Sequence, residues 1–250
     1  MDLGIKDRVA LVTGASQGIG FGIARALAAE GARVALASRS RERIDTAAAE
    51  LGGVGFVYDS SDLDAAAGLV ADVEATLGPI EILVTNTGGP PPDSDSLGFT
   101  REQWEAAHRS LVLAPISLIE RVAPGMRERG FGRVLNVASS AAREPIATLM
   151  LSNAHRPGIL GAFKTLARQM AADGVTVNTI LPGLIATDRL IQTLGSEEMA
   201  ERAAAEQVPA GRLGTIDELG AVAAFFCSEA ASYVTGTALL VDGGITHGIW

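Results

Sequence analysis

Val9-Ala10-Leu11-Val12-Thr13-Gly14-Ala15-Ser16-Gln17-Gly18-Ile19-Gly20 is a buried-strand pattern that runs directly into a glycine-rich turn. An Ala-rich helical segment, Gly18–Glu30, follows the turn. A strand, a glycine turn and a helix N-terminus in this order form an anion site, because free backbone N–H groups and the positive helix end face the ligand. Glycines let the chain turn tightly and let a ligand approach the backbone. The sequence therefore predicts that Gly14–Gly20 holds the pyrophosphate of a dinucleotide; an ordinary strand-to-helix turn is the alternative.

Short apolar runs and longer helical segments alternate along the rest of the chain. Such alternation predicts one α/β domain over residues 1–250, a doubly wound (Rossmann) seven-stranded parallel sheet flanked by helices on both faces. The predicted strands are Arg8–Thr13, Arg33–Ser38, Val54–Tyr58, Ile80–Thr85, Arg133–Ala138, Thr176–Ile180 and Ala238–Val241. The other predicted helices are Arg41–Leu51, Leu63–Leu77, Arg101–Arg129, Met150–Ala172 and Ile216–Ser228.

Two segments read as irregular: Gly88–Leu97, which holds three consecutive prolines, and Pro182–Gly214. Long loops at the carboxyl ends of parallel strands usually hold ligands. We therefore expect residues 184–210 to form a substrate lid; the alternative is that they simply pack on the domain.

Composition narrows the classes of partner. The net charge of −9 argues against a nucleic-acid partner, which a basic face would attract. No apolar run approaches a membrane span and no signal peptide is visible, so we expect a cytoplasmic protein without a membrane partner. The single cysteine, Cys227, excludes an intrachain disulfide, and the three histidines lack metal-ligand spacing, so no metal is expected.

The end of the second predicted strand bears on the choice of dinucleotide. An NAD enzyme usually places an acid here for the adenosine ribose, whereas this chain has Ser38 and Arg39, with Arg41 and Arg43 beyond. A guanidinium can pair a 2′-phosphate through two hydrogen bonds. The pattern favours NADP(H), with NAD(H) still possible; the alternative is that these arginines are solvated at a helix start.

Thr13–Gly20 resembles the Thr-Gly-x-x-x-Gly-x-Gly motif of short-chain dehydrogenases/reductases. Further segments resemble other motifs of the same family, in the same order along the chain. These segments are Asp59, Asn86-Thr87-Gly88, Ser139, Pro182-Gly183 with Thr187, Val234-Thr235-Gly236 and Val241-Asp242-Gly243-Gly244. The chain is most similar to the 3-oxoacyl-(acyl carrier protein) reductase type. With the strand-end residues above, the resemblance implies a cofactor site of Gly14, Ser16, Gln17, Gly18, Ile19, Gly20, Ser38, Arg39, Asp59, Ser60, Asn86, Thr87, Gly88, Arg156, Pro182, Gly183, Ile185 and Thr187.

The catalytic positions depart from the family pattern. The family uses a Ser, a Tyr-x-x-x-Lys pair and an Asn; Ser139 matches the Ser, but the other positions fall on Ser152, Arg156 and Leu111. A serine hydroxyl is a poor acid near neutral pH, and an arginine does not exchange its proton there. Arg156 can still donate hydrogen bonds to ribose hydroxyls or to an oxyanion.

His155 and His108 are candidate replacement acids, because histidine titrates near neutrality; a surface or interface position is the alternative for each. Two main functions stay open, and a dinucleotide-assisted lyase or isomerase is a third. One is an NADP(H)-dependent oxidoreductase that reduces a 3-oxoacyl or other carbonyl substrate through a modified proton relay of Ser139, Ser152, Arg156 and His155. The other is a non-catalytic dinucleotide-binding homologue, such as a sensor or subunit. The resemblance further implies a homo-tetramer, or failing that a dimer.

Overall fold

A seven-stranded parallel sheet organises the chain in the computed structural model, which describes residues 2–249. Its strands are β1 Val9–Thr13, β2 Arg33–Ser38, β3 Val54–Val57, β4 Ile80–Thr85, β5 Gly132–Val137, β6 Val175–Pro182 and β7 Ala238–Val241. Their spatial order is β3-β2-β1-β4-β5-β6-β7. The order reverses between β1 and β4, which is where doubly wound sheets open a crevice for ligands.

Both faces of the sheet are buried. Along β1, Ala10 and Val12 belong to one apolar cluster, whereas Val9 and Leu11 belong to the cluster on the other face. This alternation follows from the two-residue period of a strand, and burial on both sides explains why the strand is apolar throughout. The predicted doubly wound fold is confirmed.

Helices cover the two faces. They are α1 Gly18–Ala29, α2 Arg41–Leu51, α3 Ala65–Leu77, α4 Arg101–His108, α5 Ala114–Arg129, α6 Met150–Met170, α7 Asp188–Leu194, α8 Glu197–Gln207 and α9 Ile216–Phe226. Short 3₁₀ turns lie at Ser140–Ala142 and Ala171–Asp173. Side-chain caps begin several of the helices: Thr100 caps α4 and Thr215 caps α9, each in a capping box with the residue three positions on. None of the helices within residues 2–249 has the length and apolar character needed to cross a bilayer.

The structure differs from the sequence-based prediction in three helical regions. The predicted helix Arg101–Arg129 is interrupted by a π-helical segment, Arg109–Leu113. The segment 182–214 is not irregular throughout, because Thr187 and Ser196 cap α7 and α8 within it. The third helix starts at Ala65, since the Asp62 carboxylate accepts hydrogen bonds from the backbone N–H groups of Asp64 and Ala65 and holds a turn there.

Candidate active site

The glycine turn after β1 is tied to the end of β4. Asn86 Nδ2 donates to the Gly14 carbonyl at 3.1 Å. The Thr13 hydroxyl donates to the Asn86 carbonyl at 2.9 Å and accepts from the Asn86 N–H at 2.9 Å. Gly14 has φ +58°, and a Cβ there would lie 2.6 Å from the Asn86 carbonyl oxygen. Only glycine fits, so the two strand ends on either side of the crevice are held together by residues that the sequence singled out.

The first turn of α1 leaves its backbone donors open. Gln17 is the N-cap in extended conformation, and its side chain accepts no hydrogen bond from the helix. Ser16, Gly18 and Ile19 are partly exposed beside it. Free amides at a helix N-terminus, approached through glycines, fit the diphosphate of a dinucleotide.

The carboxyl ends of β2 and β3 border the part of the crevice where the sequence predicts the adenosine. The Ser38 hydroxyl and the Tyr58 hydroxyl are buried without a hydrogen-bond partner within residues 2–249. Burial raises the pKa of Tyr58 to about 12, with the charges of Asp59 and Asp62 adding to the effect. Arg39 is exposed at the end of β2.

Asp59, which the resemblance matches to the family's adenine-contacting Asp, follows β3 at the same end. Its Oδ1 accepts from the Ser61 N–H at 2.9 Å. This hydrogen bond, and to a smaller degree the charge of Arg39, holds the pKa of Asp59 below its usual range. Ser60 lies half-buried next to it. Arg39 and Asp59 therefore share one surface without forming an ion pair within the described chain.

The segment after β6 covers the other end of the crevice. Gly183 donates its N–H to the Val241 carbonyl, and Ile185 is buried and bridges to Gly214. Thr187 then caps α7 by accepting from the Leu190 N–H at 3.3 Å. A Cβ on Gly18 would lie 3.5 Å from Thr187 Cγ2, so this segment reaches the glycine turn itself. Pro182, which ends β6, thus starts a connection that runs over the predicted cofactor site.

Ser139 lies two residues beyond Val137, the last residue of β5. Its Oγ accepts from the Ala141 N–H at 3.1 Å, and the residue is half-buried. The hydroxyl proton has no recorded acceptor in residues 2–249, so it can be donated to a ligand. The Oγ of Ser139 is therefore both positioned and chemically available.

Ser152 and Arg156 lie one turn apart on α6 and are both buried, at 4% and 8% exposure. Arg156 Nη1 lies 3.5 Å from the Val137 carbonyl, close to the strand end that leads to Ser139. The Arg156 Nε is buried with no partner. Burial and the neighbouring charge of Arg189 lower the pKa of Arg156 to about 10, which still leaves it protonated at neutral pH.

His155 occupies a different face of α6. Its Nδ1 lies 2.7 Å from the Leu151 carbonyl, and its ring centroid lies 5.6 Å from those of both Trp104 and His108. No hydrogen bond among the described residues joins His155 to Ser139 or Ser152. The histidines form a cluster between α4 and α6, and the structure does not bring them together with Ser139.

Leu111 lies in the π-helical segment between α4 and α5 and is buried at 4% exposure. A π turn shifts the i→i−4 hydrogen-bond pattern and is frequent at functional sites. The widened backbone is thus present where the resemblance puts the family's Asn, but an apolar side chain fills the position.

Sequence reasoning missed Arg189, in the first turn of α7. Its Nη2 donates to the carbonyls of Gly89 at 2.6 Å and Pro90 at 3.1 Å. It thereby ties the segment after β6 to the proline-rich segment after β4. The sequence carried no signal for it, because a lone arginine after a predicted strand is ordinary and its partners are backbone atoms.

The predicted lid has a mixed surface. Leu190, Ile191 and Leu194 are half-buried, whereas Met199 is 56% exposed. Within residues 2–249, no group of three or more His, Cys, Asp or Glu side chains is placed to hold a metal ion.

Comparison with known proteins identifies the family. Residues 14–246 match the family model described as enoyl-(acyl carrier protein) reductase. The chain is 37% identical to acetoacetyl-CoA reductase of Shinella zoogloeoides, over 95% of this chain and 98% of the relative. It is 32% identical to the NADPH-dependent reductase BacG of Bacillus subtilis, over 96% and 98%.

Comparison with solved structures identifies the same family. The crystal structure of L-sorbose reductase from Gluconobacter frateurii, complexed with NADPH and L-sorbose, superposes with a TM-score of 0.92 at 32% identity and covers 100% of both chains. The 3-oxoacyl (acyl-carrier-protein) reductase of Agrobacterium tumefaciens, with NADP bound, gives 0.90 at 28% identity, over 97% of this chain and 96% of that one. The sheet order, the glycine turn and these matches lead to one conclusion: the chain belongs to the short-chain dehydrogenase/reductase family.

Proposed function

We propose that this chain is an NADP(H)-dependent oxidoreductase that reduces a carbonyl compound, such as a 3-oxoacyl substrate, through a proton relay without the family's tyrosine and lysine. The observation that carries the proposal is the placement of Arg156. It is a buried cation with an unpartnered Nε, held beside the strand end that leads to Ser139. A positive charge and a free hydroxyl at one place can stabilise an oxyanion that forms during reduction.

The chain's residues fit the cofactor at both ends. The open amides of α1 would hold the diphosphate, and Arg39 with Ser38 would hold the 2′-phosphate of the adenosine ribose. Arg156 would donate to the nicotinamide ribose, and the segment 182–187 would cover the nicotinamide. The relatives whose names state NADPH or NADP support the choice of this dinucleotide. When bound, NADPH supplies the hydride that adds to the carbonyl carbon.

The protein residues stabilise the negative charge that forms on the carbonyl oxygen and deliver a proton to it. Ser139 Oγ–H donates to the carbonyl oxygen, and Arg156 stabilises the negative charge that this oxygen acquires. The alkoxide takes its proton from water, passed through the hydroxyl of Ser139 or Ser152. Residues 184–210 act as a lid that excludes bulk solvent during this step. His155 would take part in proton transfer only after it leaves its contacts with the Leu151 carbonyl, Trp104 and His108.

A second candidate function is a non-catalytic dinucleotide-binding protein. The buried Leu111 in the π segment favours it, because no side chain there can hold a water for proton transfer. In that case the cofactor site would serve sensing or assembly.

One experiment separates the two. The protein is titrated with NADPH by calorimetry, and then NADPH absorbance is followed at high protein concentration with a panel of 3-oxoacyl thioesters and simpler ketones. Binding with oxidation supports the enzyme. Binding without oxidation of any substrate supports the non-catalytic function, and absence of binding overturns both.

We also infer self-association into a homo-tetramer or dimer. The edge strand β7 exposes Leu239 at 41%, and an uncovered strand edge is a favourable pairing surface. Light scattering that shows only a monomer at micromolar concentration would contradict this inference.

A further inference from the structure

Arg156 is a buried cation without a counterion. Its guanidinium makes one long hydrogen bond, 3.5 Å to the Val137 carbonyl, and its Nε has no partner. No carboxylate pairs with it within residues 2–249. A buried charge in this condition is costly unless it is paired, so this group is a candidate for pairing with a ligand.

A second guanidinium without a carboxylate partner, that of the exposed Arg189, approaches the same place. A Cβ built on Gly89 would lie 3.1 Å from Arg189 Nη2 and 3.4 Å from Arg156 Nη2, so both groups approach one point beside this glycine. Arg189 uses Nη2 for the carbonyls of Gly89 and Pro90. Its Nε and Nη1 make no hydrogen bond within residues 2–249, so their N–H groups can donate to acceptor atoms of a ligand.

The two cations repel each other in the absence of a ligand. Desolvation lowers the pKa of both groups, and the charge of Arg189 lowers that of Arg156 further. An anion between them would remove this repulsion and supply acceptors for the free N–H groups. The planar guanidinium fork matches a carboxylate through two parallel hydrogen bonds.

We propose that Arg156 and Arg189 bind a carboxylate of the substrate, so that the carbonyl compound reduced here is an oxo acid. This inference rests on the proposed function and narrows it. Arg189 belongs to the first turn of α7 and Arg156 to α6, so the carboxylate also ties the predicted lid to α6. The anion and the carbonyl oxygen then share Arg156, which sets the substrate's orientation toward Ser139.

A binding experiment tests the carboxylate directly, without turnover. The full chain is saturated with NADP⁺ and titrated by calorimetry with 2-, 3- and 4-oxo acids and with the methyl ester of each. We expect at least one acid to bind the wild type more tightly than its ester. Arg189→Gln should weaken that acid about 10- to 100-fold, as for charge-assisted hydrogen bonds, and leave the ester unchanged. Arg189→Lys keeps the positive charge but loses the planar guanidinium, so its affinity for the acid should lie between those of the wild type and Arg189→Gln.

A control variant and three possible results determine whether the carboxylate site exists. Arg121→Gln, at an exposed arginine on α5 outside the predicted lid, should behave as wild type. Equal affinity of every acid and its ester in the wild type overturns the carboxylate site, as does equal loss of both in Arg189→Gln. If Arg189→Gln weakens NADPH instead, the anion is a cofactor phosphate and the inference is wrong. Absence of NADPH binding in the wild type is a separate result, since it overturns the proposed function itself.

Discussion

Asn86 donates from Nδ2 to the Gly14 carbonyl at 3.1 Å, and its own carbonyl stands 2.6 Å from where a Gly14 Cβ would be. One residue after β4 therefore both shapes the glycine turn and forbids a side chain in it. The geometry of the diphosphate site depends on this pair.

Gly14→Ala should abolish NADPH binding and lower the free energy of unfolding by more than the ~1–2 kcal/mol of a left-handed alanine alone. The reason is that the methyl group would displace Asn86 in addition to straining the backbone. Gly52→Ala is the matched control, because Gly52 has φ +63° but nothing within 4 Å of its Cβ. Calorimetry and denaturant unfolding measure both quantities. Equal destabilisation of the two variants would show that the Asn86 contact adds nothing.

Arg39→Ala should weaken NADPH about 10- to 100-fold and change NADH affinity little, because only NADPH carries the 2′-phosphate. Arg33→Ala is the control on the same strand, since Arg33 begins β2 and lies at the opposite edge of the sheet. Affinities come from fluorescence titration with each coenzyme. A similar loss for both coenzymes would contradict the phosphate assignment.

Ser139→Ala should reduce kcat about 10²- to 10³-fold without changing NADPH affinity, because it removes a donor to the developing oxyanion. Ser232→Ala, at an exposed serine remote from the crevice, should have no effect. The measurement is NADPH oxidation with the best substrate of the panel. Unchanged rates would remove Ser139 from the mechanism.

Ser152→Tyr combined with Arg156→Lys should raise kcat by about 10²-fold, since it restores a general acid and the cation that lowers its pKa. Adding Leu111→Asn should raise it further. Ser152→Phe with Arg156→Lys is the control of equal bulk without the hydroxyl. The same rate in the Tyr and Phe pairs would indicate that the phenol does not reach the substrate.

Acid should weaken the start of α9 through Glu218. Hydrogen bonds from Arg212 and the Thr215 backbone lower the pKa of Glu218 from 4.5 to about 2. The folded-state pKa is depressed, so the carboxylate's stabilising contribution is complete above pH 4.5 and is lost as the pH falls toward 2. Glu218→Gln should flatten the dependence of unfolding free energy on pH in this window, and Glu50→Gln should not. Parallel curves for wild type and Glu218→Gln would refute the assignment.

Sequence patterns predicted the strands closely, because burial on both faces forces continuous apolar runs. They ended the sixth strand at Ile180, whereas β6 continues to Pro182, which at a strand end still pairs with Val241. The helices α7 and α8 were absent from the prediction, since their short apolar sets do not repeat long enough to show a helical period.

The site was predictable where backbone chemistry defines it and not where side chains from distant segments meet. Gly14 and Asn86 follow strands whose ends the sequence marks. The contact between Arg189 and Gly89 joins segments 100 positions apart. It depends on how α7 folds back over the crevice, which no local pattern encodes.

The π-helical segment Arg109–Leu113 has a geometric consequence for the chain before it. A π turn accommodates one residue more than an α turn, so deleting one residue there would bring α4 and α5 into one helical path, with a kink at Pro115, which has no N–H to donate. That deletion would rotate α4 by about 100° around the shared axis, since each α-helical residue advances by that angle. Trp104 and His108 would move away from α6. The proline-rich segment between β4 and α4 would move with them. The extra residue therefore sets the rotation of α4 about its own axis, and with it which side chains of α4 face α6.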